Sequence, residues 1–214
     1  MIRLHHCPQT RSMRSLWLLY ELGVDFELKE WLFDKSLRSE EFLALNPAGR
    51  VPALEIDGEV VWETGAITQV LCERFPETGL GRAPSNPERA QWLIWLHFSE
   101  TISQHAAALT QQHIVLYEDA MRSPTVMRLE ARRLGKCFGA VDAALGEYML
   151  PSGFSAADVS VGQAVYMARH FAAIEPFPKL AAWFERITAR EAFQKTLPNG
   201  ELLYEREFYP AWEA

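Results

Sequence analysis

The hydrophobic period changes several times before Pro76. Ile2 and Leu4 share one face of the run Ile2–His6, which predicts a first strand. Cys7-Pro8-Gln9-Thr10-Arg11-Ser12 is a polar turn. Met13, Leu16, Trp17, Leu19 and Tyr20 then recur at helical spacing as far as Leu22, and Gly23 supplies a left-handed stop. Phe26 and Leu28 lie on one face of a second strand over 25–31, and 39–45 predicts a short helix capped by Ser39. Asn46-Pro47-Ala48-Gly49 breaks the chain. Ala53–Ile56 and Glu59–Trp62 flank Asp57-Gly58, a hairpin signal because both centres of a type I′ turn need positive φ. A helix with Thr64 as its N-cap follows, carrying Ile67, Val70, Leu71, Arg74 and Phe75, and Pro76 stops it.

This order is strand, helix, strand, helix, strand, strand, helix. The right-handed crossover rule makes the first two strands parallel, and the whole is the order of a thioredoxin-like domain. Beyond it, 79–86 is a linker by composition, and its Gly79-Leu80-Gly81 follows a helix and runs into Pro84, so it lacks the context of a dinucleotide loop. From Asn86-Pro87, a cap followed by a proline suited to a first helical turn, the pattern is helical. One helix runs to about 113 with Trp92, Trp95, Leu96 and Ser99, and a second covers 124–149 with Leu129, Cys137, Val141 and Leu145. After Pro151-Ser152-Gly153, Ser155 and Asp158 form a capping box with Phe154 placed as a staple. Another helix covers 178–190. The aromatic tail 198–214, with Tyr204, Phe208, Tyr209 and Trp212, follows no pattern that places it. The expected fold class is α/β plus all-α: a thioredoxin-like domain at 1–78, the linker 79–86 and an all-helical domain at 87–214.

Composition narrows the classes. The chain has 214 residues, 49% of them hydrophobic, enough for a substantial core. A net charge of −7 argues against a nucleic-acid surface and against an anchor on anionic lipid. No apolar run approaches the length of a membrane span. The start Met1-Ile2-Arg3-Leu4-His5-His6 lacks the apolar core of a signal peptide. Three widely spaced cysteines, Cys7, Cys72 and Cys137, suit a reducing cytoplasm better than a disulfide framework. The six histidines form no metal pattern, and HExxH, GxSxG, phosphate-loop and CxxC motifs are missing.

The stretch of densest chemical interest is NPAGRVPALEIDGEVVWET, residues 46–64. Pro52 cannot donate to a strand ladder, so it belongs at a strand's start or edge. Composition alone favours a trans Val51-Pro52 bond, since cis is about 5–6% of X-Pro bonds. The order and spacing of this stretch resemble the glutathione-binding half of the cytosolic glutathione S-transferases. The resemblance implies a cis proline, with Arg50, Val51 and Pro52 presenting backbone to the cysteinyl part of glutathione. It also implies that Glu63 and Thr64 hold the γ-glutamyl end, where a carboxylate suits a helix N-terminus and an ammonium suits Glu63. The Ser155/Asp158 box and the helical style of 178–190 extend the resemblance over nearly the whole chain.

Thr10-Arg11-Ser12-Met13-Arg14, ahead of Leu16-Trp17-Leu18-Leu19, is similar to the SRxxR-LWLL signature of a bacterial and fungal branch, with Thr10 at the serine position. The resemblance makes Thr10, Arg11 and Ser12 the catalytic candidates, as groups able to stabilise a thiolate at a helix N-terminus. The alternative is that Ser12 caps the helix and Arg11 is solvated. Cys7-Pro8 resembles the nucleophile of glutaredoxins and omega-like transferases, although its loop is about two residues longer; the alternative is a passive strand-end cysteine. Phe98, Thr101, Ile102 and His105 on the long helix line a second-substrate pocket or pack in the core or a dimer contact. The resemblance implies a cytoplasmic, dimeric detoxification transferase. It would join the thiolate of its co-substrate glutathione to a small, mostly apolar electrophile without a metal. The rival expectations are thiol–disulfide exchange or peroxide reduction through Cys7, and a non-catalytic relative that binds a partner.

Overall fold

The computed structural model of the protein describes residues 1–199. Of these, 1–89 and 189–199 form one compact unit and 90–188 another. The aromatic tail considered above lies outside the described residues from 200 onward.

The first unit is built on a sheet of four strands, β1 (Ile2–His6), β2 (Glu27–Glu30), β3 (Ala53–Ile56) and β4 (Glu59–Trp62), in the order β2-β1-β3-β4. β1 and β2 are parallel, as the crossover rule requires, and the other pairs are antiparallel. Leu4 lies opposite Leu28 and Leu54, and Leu4 and Leu54 are fully buried. Asp57 and Gly58 have φ of 51° and 87°, the left-handed pair that a type I′ hairpin demands. This is a thioredoxin-like domain with a mixed sheet.

Helix α1 (Ser12–Leu22) is buried along nearly its whole length and ends at Gly23, whose φ of 66° lets its N–H reach the Tyr20 carbonyl. Fully burying a side chain such as Leu18 or Leu19 contributes about 1.5–3 kcal/mol. Helix α2 (Glu40–Leu45) starts as expected, with the Ser39 hydroxyl accepting from the Phe42 N–H at 3.2 Å.

Two expectations are corrected here. The second strand is only Glu27–Glu30, mostly exposed at the sheet edge, and Phe26 lies before it, edge-on to the Tyr20 ring. Thr64 is not the cap of α3 (Thr64–Arg74) but its first residue. The cap position belongs to Glu63, at φ 74° and without a side-chain cap bond, while the Thr64 hydroxyl is engaged by Arg14.

The segment 189–199 returns to the first unit, although composition groups it with the helices. Its short helix α8 (Glu191–Gln194) sets Phe193 edge-on to Trp17, with ring centres 4.8 Å apart. Arg190 grips both carboxylate oxygens of Glu21, each at 2.7 Å. A paired fork of this kind is directional as well as attractive.

The second unit is helical, with α4 (Arg89–Thr110), α5 (Pro124–Ala144), α6 (Ala156–Ala168) and α7 (Pro178–Thr188). α4 begins after a turn rather than at Pro87: the Asn86 carboxamide oxygen accepts from the Glu88 N–H, and its carbonyl from the Arg89 N–H. A π-helical turn, Gln111–Val115, follows α4. α5 stops at Ala144, short of Met149, because Leu145 turns to extended backbone. Every residue of α6 is buried, which suits a helix apolar all round. The expected capping box starts it: the Ser155 hydroxyl accepts from the first turn and the Asp158 carboxylate accepts from the Ser155 N–H. Phe154 packs edge-on to Tyr148. No helix among the described residues is long and apolar enough to cross a membrane.

Candidate functional site

The sheet register gathers the three stretches that the sequence singled out. His5 pairs with Ala53, so the loop leaving β1 lies beside the start of β3. Ala53 pairs in turn with Trp62, so the end of β4, leading into Glu63 and Thr64, lies on the other side of that start. The loop 7–12, Val51-Pro52 and the N-terminus of α3 therefore share one end of the strands β1, β3 and β4.

The first loop is held from inside. Ser12 is fully buried, and its hydroxyl lies 2.7 Å from His6 Nδ1, 2.8 Å from Thr10 Oγ1 and 3.1 Å from the Cys7 carbonyl, while it accepts from the Cys7 N–H at 3.1 Å. Ser12 does not cap α1, whose cap position is Arg11, and its hydroxyl is engaged by the loop and by His6. His6 is buried, and that burial pulls its pKa down to about 4 against a raising hydrogen bond with Ser12, so its ring is uncharged at neutral pH.

Thr10 and Arg11 are half-buried at the loop's surface. Thr10 Oγ1 donates to the Cys7 carbonyl at 2.8 Å and accepts from the Ser12 N–H at 3.3 Å. The next amides, of Met13 and Arg14, donate to the carbonyls of Thr10 and Arg11. The first turn of α1 therefore offers its dipole to a ligand more than its N–H groups. Cys7 is 3% exposed, and burial first, then the Glu30 and Asp34 charges, push its thiol up to about 11.

The second stretch is organised by Asn46, which is buried. Its side-chain amide donates to the Arg50 carbonyl and, at 3.5 Å, to that of Pro52, and its oxygen accepts from the Ala48 N–H. Gly49 sits at φ 61°, and a Cβ there would lie 3.0 Å from the Leu37 carbonyl oxygen, so a side chain in this turn would be strained. The Val51-Pro52 bond is cis. Arg50 is exposed, Val51 half-buried and Pro52 buried.

In the third stretch Glu63 is exposed and Thr64 is 5% exposed. Arg14 Nη1 donates to Thr64 Oγ1 at 3.0 Å from a side chain only 1% exposed. Arg14 stands within the Thr10–Arg14 run without a role legible from sequence, because helical periodicity assigns a charge to solvent. Its one available signal was its place among Met13, Leu16 and Trp17. By sequence Asn46 signals only a chain break and His6 only a strand residue.

The α4 candidates divide. Ile102 is fully buried in the helical unit. Thr101 is exposed, and Phe98 is half-buried and edge-on to Trp95. His105 Nδ1 lies 2.6 Å from a Glu130 carboxylate oxygen. Among the described residues no three His, Cys, Asp or Glu side chains are grouped to hold a metal ion.

Residues 1–72 match the family model described as the Glutathione S-transferase, N-terminal domain. Glutathione S-transferase 3 of Zea mays is 29% identical over 206 residues, covering 92% of this chain and 93% of its own. A glutathione transferase from Methylococcus capsulatus superposes with a TM-score of 0.78 at 26% identity, over 92% of this chain and 97% of its own. A sphingomonad glutathione S-transferase solved in complex with glutathione gives 0.78 at 26% identity, over 91% of this chain and 96% of its own.

Proposed function

We propose that this protein is a glutathione S-transferase that joins the glutathione thiolate to a small, mostly apolar electrophile. One observation carries the reading: the matched N-terminal domain, residues 1–72, contains all three stretches that the sheet register gathers at one end of its strands. Val51 pairs through its backbone with the cysteinyl part of glutathione, flanked by Arg50 and Pro52. Glu63 takes the γ-glutamyl ammonium, and Thr64, at the positive end of α3, takes its carboxylate.

The sulfur lies against Thr10 and Arg11. A free thiol has a pKa near ~8.5, and the thiolate is the nucleophile. Lowering that pKa by about two units takes ~2.7 kcal/mol of differential stabilisation. The Arg11 charge and the α1 dipole each supply on the order of 1 kcal/mol. Thr10 contributes less than a free hydroxyl would, because it exchanges the Cys7 carbonyl for the sulfur. Ser12 and His6 act behind the site, holding the loop.

Cys7 is a poor alternative nucleophile: with its thiol near 11, only about one molecule in ten thousand carries the thiolate at neutral pH. Phe98, Thr101 and His105 are the helical-unit candidates for contact with the electrophile. The Thr10–Arg14 run ahead of Leu16–Leu19 supports membership of the bacterial and fungal branch. The protein acts as a cytoplasmic homodimer in detoxification, with no metal. The test is calorimetric binding of glutathione together with turnover of an aryl halide. Binding and turnover that both survive Cys7→Ser support the proposal. Absence of glutathione binding, or turnover lost with Cys7 alone, overturns it.

A further inference from the structure

His5 belongs to a chain of polar contacts that the proposed chemistry does not use. Arg3 and His5 alternate with Ile2, Leu4 and His6 along β1 and share one face of the sheet. His5 is 4% exposed. The Trp31 indole N–H donates to His5 Nδ1 at 3.0 Å, and an indole only donates, so Nδ1 must keep its lone pair. The ring proton is then on Nε2, 2.9 Å from Glu55 Oε1, which also accepts from Arg3 at 3.2 Å. Trp31 packs edge-on to Phe42 of α2, with ring centres 5.0 Å apart, and Phe42 is edge-on to His5 as well. Asn46 closes that helix with its N–H on the Phe42 carbonyl, and its side-chain amide holds the carbonyls of Arg50 and Pro52. His5 therefore stands at the foot of a series of contacts, Trp31, Phe42, α2 and Asn46, that ends at Val51-Pro52.

We infer that His5 is a pH-sensitive latch: its neutral ring pins Trp31 and α2, and its protonation releases them and weakens the hold on the cysteinyl part of glutathione. The inference rests on the reading of Arg50, Val51 and Pro52 as the seat of that part. A second proton goes to Nδ1, where it meets the Trp31 N–H donor to donor, so the indole loses its acceptor and leaves. The charged groups around the ring pull in opposite directions. Glu55 on β3 favours the imidazolium, and it is itself held below the usual carboxylate range, chiefly by its hydrogen bond with His5. Arg3 on β1, bonded to Glu55 and to Glu27 of β2, opposes the charge, as does Lys29, the register partner of His5 on β2. α2 presents uncharged Phe42 to the ring, with Glu40 and Glu41 exposed. A histidine ordinarily changes charge between about pH 5 and 8, which sets the window to scan.

The probe is S-methylglutathione, whose sulfur carries no proton, so activation of the thiol does not enter its pH dependence. Its Kd is measured by calorimetry between about pH 8 and pH 5, with circular dichroism to confirm that each sample is folded. Wild-type affinity is expected to fall by roughly threefold to tenfold toward the acid end, the size of one net hydrogen bond. His5→Asn offers Trp31 a carboxamide oxygen that takes no proton, and it keeps the alkaline affinity throughout. Trp31→Phe removes the opposing donor, and its profile is flat as well. The fluorescence of Trp31, read as the difference between wild type and Trp31→Phe, changes over the same window as the Kd. If one variant fails to fold, the other and the wild-type profile carry the test. A flat wild-type Kd, or a slope that persists in either folded variant, overturns the inference while leaving the transferase reading intact. Wild-type protein that binds neither S-methylglutathione nor glutathione at the alkaline end overturns both.

Discussion

Replacing Asp158 by alanine is expected to destabilise the helical unit far beyond the loss of an ordinary helix cap. The carboxylate is fully buried, and burial pushes its pKa up against the hydrogen bonds that hold it down. One oxygen accepts from the Met149 N–H and the Trp183 indole N–H, both at 2.9 Å. The other accepts from the Ser155 N–H at 2.9 Å and lies 3.3 Å from the Ser155 hydroxyl. Removing it leaves the two amides and the indole without an acceptor in the core. A buried orphan donor costs about 1–3 kcal/mol, and a water entering the new cavity recovers part of that. The expected loss is ~3–5 kcal/mol, against ~1 kcal/mol for a typical cap. For a chain of this size that is a fall in Tm of about 6–20 °C. Asp158→Asn keeps one acceptor oxygen and should lose about half as much. Thermal unfolding followed by circular dichroism reads both variants, with the glutathione Kd measured well below the transition. A fall of less than ~3 °C for Asp158→Ala, or a changed Kd with normal stability, would refute the reasoning.

Glu63→Ala leaves the γ-glutamyl ammonium without its partner and should weaken glutathione by roughly 10- to 100-fold, from ~1.5–3 kcal/mol for a charged hydrogen bond; an unchanged calorimetric Kd contradicts that role. His6 titrates near 6.5 in the unfolded chain and about 4 in the folded one. Between those values the unfolded state binds the extra proton, so stability rises with pH through this window and is flat above it. The full difference is about 3 kcal/mol, and His6→Gln should flatten the pH dependence of urea unfolding between pH 4 and 6.5, whereas an unaltered slope rules out the buried imidazole as its source. Thr10→Val should reduce turnover without abolishing it and Thr10→Ser should be tolerated, because Thr10 shares its proton with the Cys7 carbonyl; complete inactivation of Thr10→Val would show a larger role than the geometry gives it.

The parts of the fold legible in the sequence were those governed by local backbone chemistry. Asp57-Gly58, Gly23, the Ser39 cap and the Ser155/Asp158 box each satisfy nearby N–H groups or a positive φ, and each stands where local rules put it. Misreadings arose where a partner outside the helix overrides its capping preference. Ser12 and Thr64 both suit a helix cap, yet their hydroxyls are engaged by the preceding loop and by Arg14. Nothing in the residue type of Glu63 signals its φ of 74°, since left-handed backbone is ordinarily left to glycine or asparagine. The return of 189–199 to α1 depends on Arg190 reaching Glu21, a pairing across 169 positions that no periodicity reveals. The burial of Arg14 was invisible for a related reason. A hydrophobic pattern sorts charges outward, whereas this one is held inside by a hydroxyl fifty positions away.

The central claim is that this protein activates the thiol of bound glutathione rather than one of its own. A pH titration of thiolate absorbance in the complex of the Cys7→Ser variant with glutathione tests it most directly. Cys7, the cysteine at the candidate site, is then removed, and the unliganded variant corrects for Cys72 and Cys137, which are buried. The account requires a thiolate that appears well below the ~8.5 of a free thiol, shifts upward in Arg11→Ala, and accompanies normal turnover. A bound thiol that titrates like free glutathione, in a variant that has lost turnover, would contradict it.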